Sequence, residues 1–387
     1  MSTAIQRLQA VRADLQSMFC ERDSVIDGLL TAFLAGEHVL MLGPPGVAKS
    51  ALARAFSEAV AGDAPGNFFQ WLLTKFSTPE ELFGPISMSG MKNDKYERIT
   101  KFKLPEAKVC FLDEVWKANS SILNSLLTAL NEGLFYNGEN VIKMPLRTCV
   151  GASNEYPEDS SLDALYDRFM LRYWVEYIAD RDALKRLLLT GGLPGGKARL
   201  EDSDYDELTA LVDAVVFNGT QTDTLLNIKA AVAEEGFVIS DRTWIKAVKL
   251  IKARAVLQGR AVVKSSDFLV LADALWDTHQ DRPKLVEIIA RTADPYGSRA
   301  QSIEDAIKTA LRGLPDFSMI QNGTVTKYEF ISKMAPVDKK IKQLIQKVSE
   351  MEAEVDDNSA VAAVRASVNA AVETVKALVE KAADYDG

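Results

Sequence analysis

The chain alternates short apolar runs with longer segments of helical spacing. Five apolar runs have the length of buried strands, at 39–42, 68–73, 109–112, 146–152 and 172–178. Between them, apolar positions recur every three or four residues over 50–60, 120–131 and 162–170. Two further helices, over 3–19 and 25–34, precede the first strand. The alternation predicts an α/β fold with a parallel, doubly wound sheet of five strands.

The turn between the first strand and its helix has the composition of a phosphate-binding loop. It reads Gly43-Pro44-Pro45-Gly46-Val47-Ala48-Lys49-Ser50. Backbone N–H groups of such a turn and of the following helix N-terminus point at an anion. Lys49 would reach the β- and γ-phosphates of a nucleotide, and the Ser50 hydroxyl would ligate Mg²⁺. Ala48 stands where the common pattern has a second glycine, and the alternative interpretation is a glycine turn with a surface lysine.

Polar side chains end two later strands of the predicted sheet. Asp113 and Glu114 follow the third apolar run, and Asn154 follows the fourth. In a parallel sheet the carboxyl ends of the strands face the ligand crevice. There Asp113 would hold Mg²⁺ through its water shell, Glu114 would orient and polarise the attacking water, and Asn154 would hydrogen-bond that water or the γ-phosphate. Taken singly, they could be surface acids and a turn cap; together with the phosphate loop they predict nucleotide hydrolysis.

Two arginines lie where a phosphate ligand would explain them. Arg168 lies near the end of the segment 162–170, and its spacing in the sequence identifies no carboxylate partner. It is either a surface arginine or a finger that enters a neighbouring subunit's nucleotide site. Arg242 lies in the first turn of a predicted helix, where the dipole disfavours a cation. A phosphate ligand would account for it, and a salt bridge to Asp241 or to another nearby acid is the alternative.

Two insertions interrupt the predicted nucleotide-binding domain, which covers 1–190. The first, near 86–101, is predicted to be a β-hairpin with strands at 86–89 and 96–100. The second, at 134–143, is a hairpin around Asn137-Gly138, the strongest hairpin signal in the chain.

The rest of the chain is predicted to be helical. A glycine-rich linker at 190–197 leads to an all-α lid over 198–280. A third domain, 281–387, begins with helices that break at Pro295-Tyr296-Gly297, and it contains a short insert at 314–331 with a strand-like piece at 324–330. Heptad spacing then predicts an antiparallel helical hairpin, with a turn at 356–358.

Composition restricts the classes of protein. The 387 residues carry a net charge of −9 and are 47% hydrophobic, as in an ordinary globular protein. The acidic balance argues against a general nucleic-acid or anionic-membrane binder. Three widely spaced cysteines and two histidines make disulfides, zinc and histidine catalysis improbable. No apolar run approaches eighteen residues, so we expect a soluble protein located in the cytoplasm.

Together these motifs resemble the AAA+ ATPases. The two insertions resemble those of the clade that includes the MoxR ATPases, magnesium chelatase and McrB-type motors. Phe76-Ser77-Thr78-Pro79-Glu80-Glu81-Leu82-Phe83-Gly84-Pro85, Leu165-Tyr166-Asp167-Arg168 and Ser240-Asp241-Arg242-Thr243-Trp244 look most like the RavA branch of the MoxR family. The resemblance covers about residues 1–280. RavA-type proteins carry a sizeable β-rich module where this chain has only 314–331.

The resemblance implies a hexameric ATPase that uses ATP and Mg²⁺ and remodels or matures a partner protein, by metal or cofactor insertion in some cases. A von Willebrand factor A domain protein is the implied partner. The implied catalytic residues are Lys49, Glu114, Asn154 (sensor 1), Arg168 (arginine finger) and Arg242 (sensor 2). The implied nucleotide-binding residues are Gly43, Pro44, Pro45, Gly46, Val47, Ala48, Lys49, Ser50, Ala51 and Asp113, with Ser50 and Asp113 also at the metal.

Three alternatives stay open at this point. The first is a nucleic-acid motor of the same clade, which is supported by cations on and after the first insertion: Lys92, Lys95, Arg98, Lys101 and Lys103. The second is a scaffold in which nucleotide only sets assembly, and the third is a monomeric phosphate-loop switch.

Overall fold

The computed structural model describes residues 2–62, 64–157, 162–190, 197–354 and 359–385. The chain divides into two compact units, Met1–Ile289 and Ala290–Gly387. The predicted turn at 356–358 lies outside the described residues, as does most of the linker at 190–197.

Among the described residues of the first unit, five parallel strands form the central sheet. They are β1 (Val39–Leu42), β2 (Phe68–Leu72), β3 (Val109–Asp113), β6 (Thr148–Ser153) and β7 (Leu171–Trp174). Their order is β2-β3-β6-β1-β7, and β1 is buried along its whole length. The predicted α/β class and parallel sheet are confirmed. Because β1 lies between β6 and β7, the loop after β1 opens beside the ends of both neighbours.

The helices of this unit cover the sheet and continue into a helical lid. They are α1 (Thr3–Met18), α2 (Asp23–Ala35), α3 (Lys49–Val60), α4 (Pro79–Phe83), α5 (Met88–Met91), α6 (Ser120–Glu132), α7 (Asp163–Tyr166), α8 (Arg181–Thr190), α9 (Asp202–Ala214), α10 (Gly219–Glu234), α11 (Asp241–Leu257) and α12 (Arg282–Ala293), whose last four residues belong to the second unit. The predicted helix at 162–170 is shorter than expected, and the end of the predicted all-α lid, over 265–279, is wound more tightly than an α-helix. The first is the single turn α7, and the second is a 3₁₀ segment, Ser265–Asp273, followed by a short 3₁₀ turn at His279–Asp281.

The second insertion is the predicted hairpin. Strands β4 (Leu134–Asn137) and β5 (Asn140–Lys143) pair in antiparallel register around Gly138, whose φ of 63° suits the tight turn.

The first insertion is not a hairpin, and that prediction was wrong. Ser87 caps the short helix α5, and only an isolated antiparallel bridge, Ile86 to Arg98, remains. The side chain of Asn137 hydrogen-bonds both backbone groups of Arg98. Its Oδ1 accepts the N–H at 2.6 Å, and its Nδ2 donates to the carbonyl at 3.1 Å. The predicted ladder stops after two backbone bonds, from Ser87 N–H to Glu97 and from Ile99 N–H to Pro85, because the chain turns into α5 at Met88.

The second unit is a helical bundle. It contains α13 (Pro295–Arg312), α14 (Ser318–Gln321), α15 (Lys327–Glu354) and α16 (Ser359–Ala383). Arg365 pairs with Glu352, and Lys327 donates to the carbonyl of Ala383, so α15 and α16 run antiparallel as predicted. Residues at heptad spacing form the core with α13.

The strand predicted at 324–330 was wrong. Thr326 and Glu329 form reciprocal bonds at the start of α15, where the Thr326 hydroxyl accepts the Glu329 N–H and the Glu329 carboxylate accepts the Thr326 N–H. This capping pattern begins a helix inside a run whose β-branched residues favoured a strand.

Candidate functional site

The loop after β1 adopts conformations that its glycines permit. Gly43 has a φ of 142°, and a Cβ there would lie 2.1 Å from the carbonyl oxygen of Val175. Ala48, at the position of the missing glycine, holds a left-handed φ of 67° and immediately precedes α3. The loop thus closes tightly against the end of β7 and presents the N-terminus of a twelve-residue helix.

The ammonium group of Lys49 lies at the centre of a polar cluster. Its Nζ donates to the carbonyls of Gly43 at 2.6 Å and Pro44 at 3.0 Å, and to Oδ1 of Asn154 at 2.9 Å. Burial lowers the pKa of Lys49, while the carboxylates of Asp113 and Glu114 act in the opposite direction. A buried cation that no carboxylate of the described residues contacts directly is suited to an anionic ligand.

The two acids and the asparagine meet at the same edge of the sheet. Ser50 Oγ donates to Asp113 Oδ2 at 3.0 Å, and Asn154 Nδ2 donates to Glu114 Oε1 at 2.8 Å. Glu114 holds a left-handed φ of 52°, which turns its side chain away from the line of β3. Asn154 thus bridges Lys49 and Glu114. The structure brings together the five residues predicted from the phosphate loop and the strand ends: Lys49, Ser50, Asp113, Glu114 and Asn154.

The donor set suits the ligands that the resemblance implies. A hydroxyl and a carboxylate oxygen in contact, as in Ser50 and Asp113, are hard oxygen ligands of the kind that Mg²⁺ takes together with water and phosphate. No cluster of three or more His, Cys, Asp or Glu side chains that could hold a metal ion occurs in the described part of the chain. These residues fit a Mg²⁺ ion that would be held by two protein oxygens together with a phosphate of the nucleotide.

Arg168 and Arg242 lie at the opposite edge of the sheet from the phosphate loop. Arg168 precedes β7, whose first residue pairs with Val39 at the start of β1, whereas the loop follows the end of β1. Burial lowers the pKa of Arg168, and the charge of Arg242 lowers it further, so the two cations are neighbours. Within the described residues, the Nε of Arg168 is buried without a hydrogen-bond partner, while its Nη1 donates to the carbonyl of Ala164 at 3.1 Å and pairs with Asp167 at 3.5 Å.

The packing of α11 explains why Arg242 is at that edge. The helix packs on α2, and Lys246, one turn after Arg242, pairs with Glu37 at 2.6 Å just before β1. Burial raises the pKa of Glu37, which the charges of Lys246, Lys249 and Arg242 oppose. The salt bridge considered for Asp241 is made with Lys229, not with Arg242. The structure therefore separates both arginines from Lys49 of the same chain.

Sequence reasoning missed a cavity of about 510 Å³ beside the loop. It is mostly apolar and lies between the end of α1, the residues after β7 and α8. Its lining consists of Met18, Phe19, Cys20, Arg22, Gly46, Val47, Ala48, Tyr177, Ile178, Leu184 and Leu187. Tyr177 closes one side by donating its hydroxyl to the carbonyl of Pro45 at 3.2 Å. The apolar residues at the end of α1 were the available signal, but helical spacing assigned them only to packing.

The cations that kept a nucleic-acid motor open are partly structural. Arg98 donates to Glu80 at 3.2 Å and to the carbonyl of Gly84 at 2.8 Å. Lys103 donates to the carbonyl of Glu81 at 2.9 Å and lies over the ring of Trp71. These two cations hold the insertion to α4, which weakens the case for a row of phosphate contacts.

The five-stranded sheet, the Lys49–Asn154–Glu114 cluster and the helical lid together define an AAA+ ATPase. Residues 6–212 match the sequence model of a family described as the MoxR domain in the MoxR-vWA-beta-propeller ternary systems, and residues 221–289 match an AAA lid domain. The chain belongs to the MoxR family of AAA+ ATPases.

Several proteins are similar to this chain. An uncharacterised protein of Methanocaldococcus jannaschii is 35% identical over 89% of this chain and 91% of its own length. The chaperone MoxR1 of Mycobacterium tuberculosis is 22% identical over 71% of this chain and 76% of its own. A Cytophaga hutchinsonii crystal structure, proposed to be an ATPase, superposes with a TM-score of 0.60 at 18% identity, covering 75% of this chain and 94% of that one, which shows a shared fold. The described helices include none long and apolar enough to cross a membrane.

Proposed function

We propose that this protein hydrolyses ATP at the interfaces of a hexameric ring and uses the cycle to remodel or mature a partner protein, as a chaperone would. The observation that carries the proposal is the division of the machinery between two edges of one sheet. Lys49, Asn154 and Glu114 lie at the carboxyl edge, and Arg168 and Arg242 lie together at the other. A head-to-tail arrangement of copies would bring the second group of one subunit to the first group of the next.

The residues at the carboxyl edge suit phosphoryl transfer to water. The loop from Gly43 to Ala51 would hold the phosphates, and the cavity beside Gly46 has the size and apolar lining for the base. Ser50 and Asp113 would hold Mg²⁺, which neutralises charge on the phosphate oxygens when bound. Glu114 would orient and polarise the attacking water, with Asn154 fixing the carboxylate.

The two arginines would act on the next subunit's phosphates. Arg168 has a buried Nε without a partner in the described structure and Arg242 as a like-charged neighbour, and its ion pair with Asp167 offsets these two effects only in part. An anion supplied by a neighbouring subunit would relieve it. We therefore assign Arg242, like Arg168, to a role between subunits.

The partner is inferred from the family. Because the matching family is described from MoxR-vWA-beta-propeller systems, we propose a von Willebrand factor A domain protein as the partner. The relative named as a chaperone supports a remodelling role, of which metal or cofactor insertion is one form. The cytoplasm stays the predicted location, and the RavA branch stays a prediction from the motifs.

Mixing two inactive variants tests the proposal. Glu114→Gln removes the group that activates water while keeping nucleotide binding, and Arg168→Ala removes the arginine, so each alone should release little phosphate from ATP. Mixed in equal amounts, they should recover about a quarter of the wild-type rate, since half of the sites carry an intact Glu114 and half of those face an intact Arg168. No recovery in rings of wild-type size would contradict action between subunits, and a wild type without ATPase activity would contradict the proposed reaction.

A further inference from the structure

Three rings stack at the junction between the sheet and the lid. Tyr156 stacks on Trp174 with ring centroids 5.8 Å apart, and Trp174 stacks on His279 at 4.1 Å, with interplanar angles of 10° and 12°. Tyr156 follows Asn154 in the chain, Trp174 ends β7, and His279 belongs to the lid. The stack therefore joins the asparagine loop to a segment more than a hundred residues later in the sequence.

A hydroxyl group adds directional bonds to this stack. The Tyr156 hydroxyl lies 2.7 Å from Nδ1 of His279 and accepts the His279 backbone N–H at 2.9 Å. Burial raises the pKa of Tyr156, so the hydroxyl stays protonated and can donate to the ring nitrogen while it accepts from the backbone. Two hydrogen bonds from one atom fix both the position and the rotation of His279.

The residues just before His279 hold the segment that carries Arg168. The Tyr166 hydroxyl donates to the carbonyl of Asp277 at 2.8 Å, and Arg172 donates to the carbonyl of Trp276, which is fully buried. The guanidinium of Arg172 also lies 4.3 Å from the centre of the Tyr166 ring. In the sequence, Tyr166 precedes Arg168 and Arg172 follows it. The segment Trp276–His279 therefore contacts the chain both before and after Arg168.

The other end of this connection is tied to the nucleotide site. Asn154 bonds both Lys49 and Glu114, and the next residue, Glu155, is held through its carbonyl by the indole N–H of Trp116 at 2.9 Å. Because Trp116 follows Glu114 by two residues, Tyr156 is tied to the nucleotide site through both Asn154 and the segment after β3.

We propose that the segment 276–279, held by Tyr156, relays the nucleotide state of one subunit to the Arg168 that the same subunit places in its neighbour's site. Tyr156 and His279 are thus positioning residues that set cooperativity between sites. The proposal rests on the proposed function, because only an arginine that acts on another subunit gives such a relay something to control. Allostery requires two sites that both shift the conformational equilibrium of one shared element.

The Tyr156→Phe variant tests the relay, because it keeps the ring stack and removes both hydrogen bonds. The measurement is steady-state ATPase activity of assembled rings as a function of ATP concentration. Wild-type rings should respond cooperatively, with a Hill coefficient above one; Tyr156→Phe rings should keep a comparable maximal rate, with a Hill coefficient near one. Tyr136→Phe, on the exposed face of the β4–β5 hairpin, is the matched control and should behave as wild type.

A second measurement separates the relay from a general loss of structure. Hydrogen exchange is followed on the monomer, below the concentration of ring assembly, with and without the ATP analogue AMP-PNP and Mg²⁺. In the wild type, nucleotide should slow exchange in 43–50 and also in 163–170; in Tyr156→Phe it should slow only 43–50.

The outcomes distinguish the two proposals. Protection that reaches 163–170 equally in Tyr156→Phe, or wild-type rings with a Hill coefficient of one, would overturn the relay and leave ATP hydrolysis standing. Absence of protection at 43–50 in the wild type would instead overturn nucleotide binding, and with it the proposed function.

Discussion

Replacing Glu114 with glutamine should stop hydrolysis while leaving nucleotide binding intact. The amide oxygen of glutamine can still accept the Asn154 Nδ2–H, which Glu114 Oε1 accepts at 2.8 Å, so the side chain should keep its position. Glutamine meets the left-handed backbone of residue 114 with the same strain as glutamate. The variant therefore removes a negative charge and a proton acceptor and little else.

The size of the effect follows from what is removed. A positioned general base contributes about 10²- to 10⁴-fold to a rate, which is about 3–5 kcal/mol of transition-state stabilisation. Lys49, Ser50 and Asp113 keep their contacts, so ATP affinity should change by less than about tenfold. Losing the charge of Glu114 also removes one of the two carboxylates that oppose the burial-lowered pKa of Lys49, and Asp113 remains to do so.

Phosphate release and ATP binding should be measured separately on Glu114→Gln. We expect turnover to fall at least about a hundredfold, with assembly and ATP binding retained. Glu132→Gln, at the exposed end of α6, is the control for loss of one surface carboxylate and should keep the wild-type rate. Wild-type turnover in Glu114→Gln would refute the assignment of this residue as the group that activates water.

Three further predictions concern stability. Burial lowers the pKa of His38 to about 4, so it is neutral in the folded state, while an unfolded histidine takes up a proton near pH 6.5. The contribution of His38 to the free energy of unfolding is therefore complete above about pH 6.5, and that free energy should fall by about 2 kcal/mol between pH 7 and pH 5. The His38→Asn variant should lack this fall when urea unfolding is followed by tryptophan fluorescence. Ala48→Gly should raise the free energy of unfolding by about 0.5–1 kcal/mol, because relief of the left-handed alanine outweighs the added freedom of the unfolded chain; a loss of stability in the same assay would contradict this. Phe330 is fully buried and packs edge to face on Phe317, so Phe330→Ala should lower the free energy of unfolding of the second unit by about 3–5 kcal/mol. Since all five tryptophans lie in the first unit, circular dichroism should detect that loss while tryptophan fluorescence stays unchanged.

Local signals predicted the sheet and one half of the candidate site. Each strand is a short apolar run, and the residues that follow β1, β3 and β6 must meet because parallel strands share an edge. This is why the sequence alone places Lys49, Asp113 and Asn154 in one group. The hairpin at 134–143 was equally local, since Asn137-Gly138 specifies its own turn.

The failures come from contacts that the local sequence does not contain. The run at 86–101 has strand-like ends, but Ser87 caps the short helix α5, and Asn137 of another insertion holds the remaining backbone groups of Arg98. The cavity beside the loop joins the end of α1 to residues after β7, and no local spacing brings those together. Only at 324–330 was a usable signal overlooked, the reciprocal cap of Thr326 and Glu329.

The position of Arg242 shows how strand order decides chemistry. Its place in the first turn of a helix indicates a phosphate ligand, but not whose phosphate. The answer depends on α11 packing on α2, which ends just before β1, so the start of α11 lies by Glu37 at the amino edge of the sheet. The same edge holds Arg168, because β7 runs parallel to β1 and begins beside Val39. Two arginines from distant segments thus lie on the side of the sheet opposite their own phosphate loop, and this placement is the reason for proposing that the nucleotide of a second copy of the chain is the anion for both.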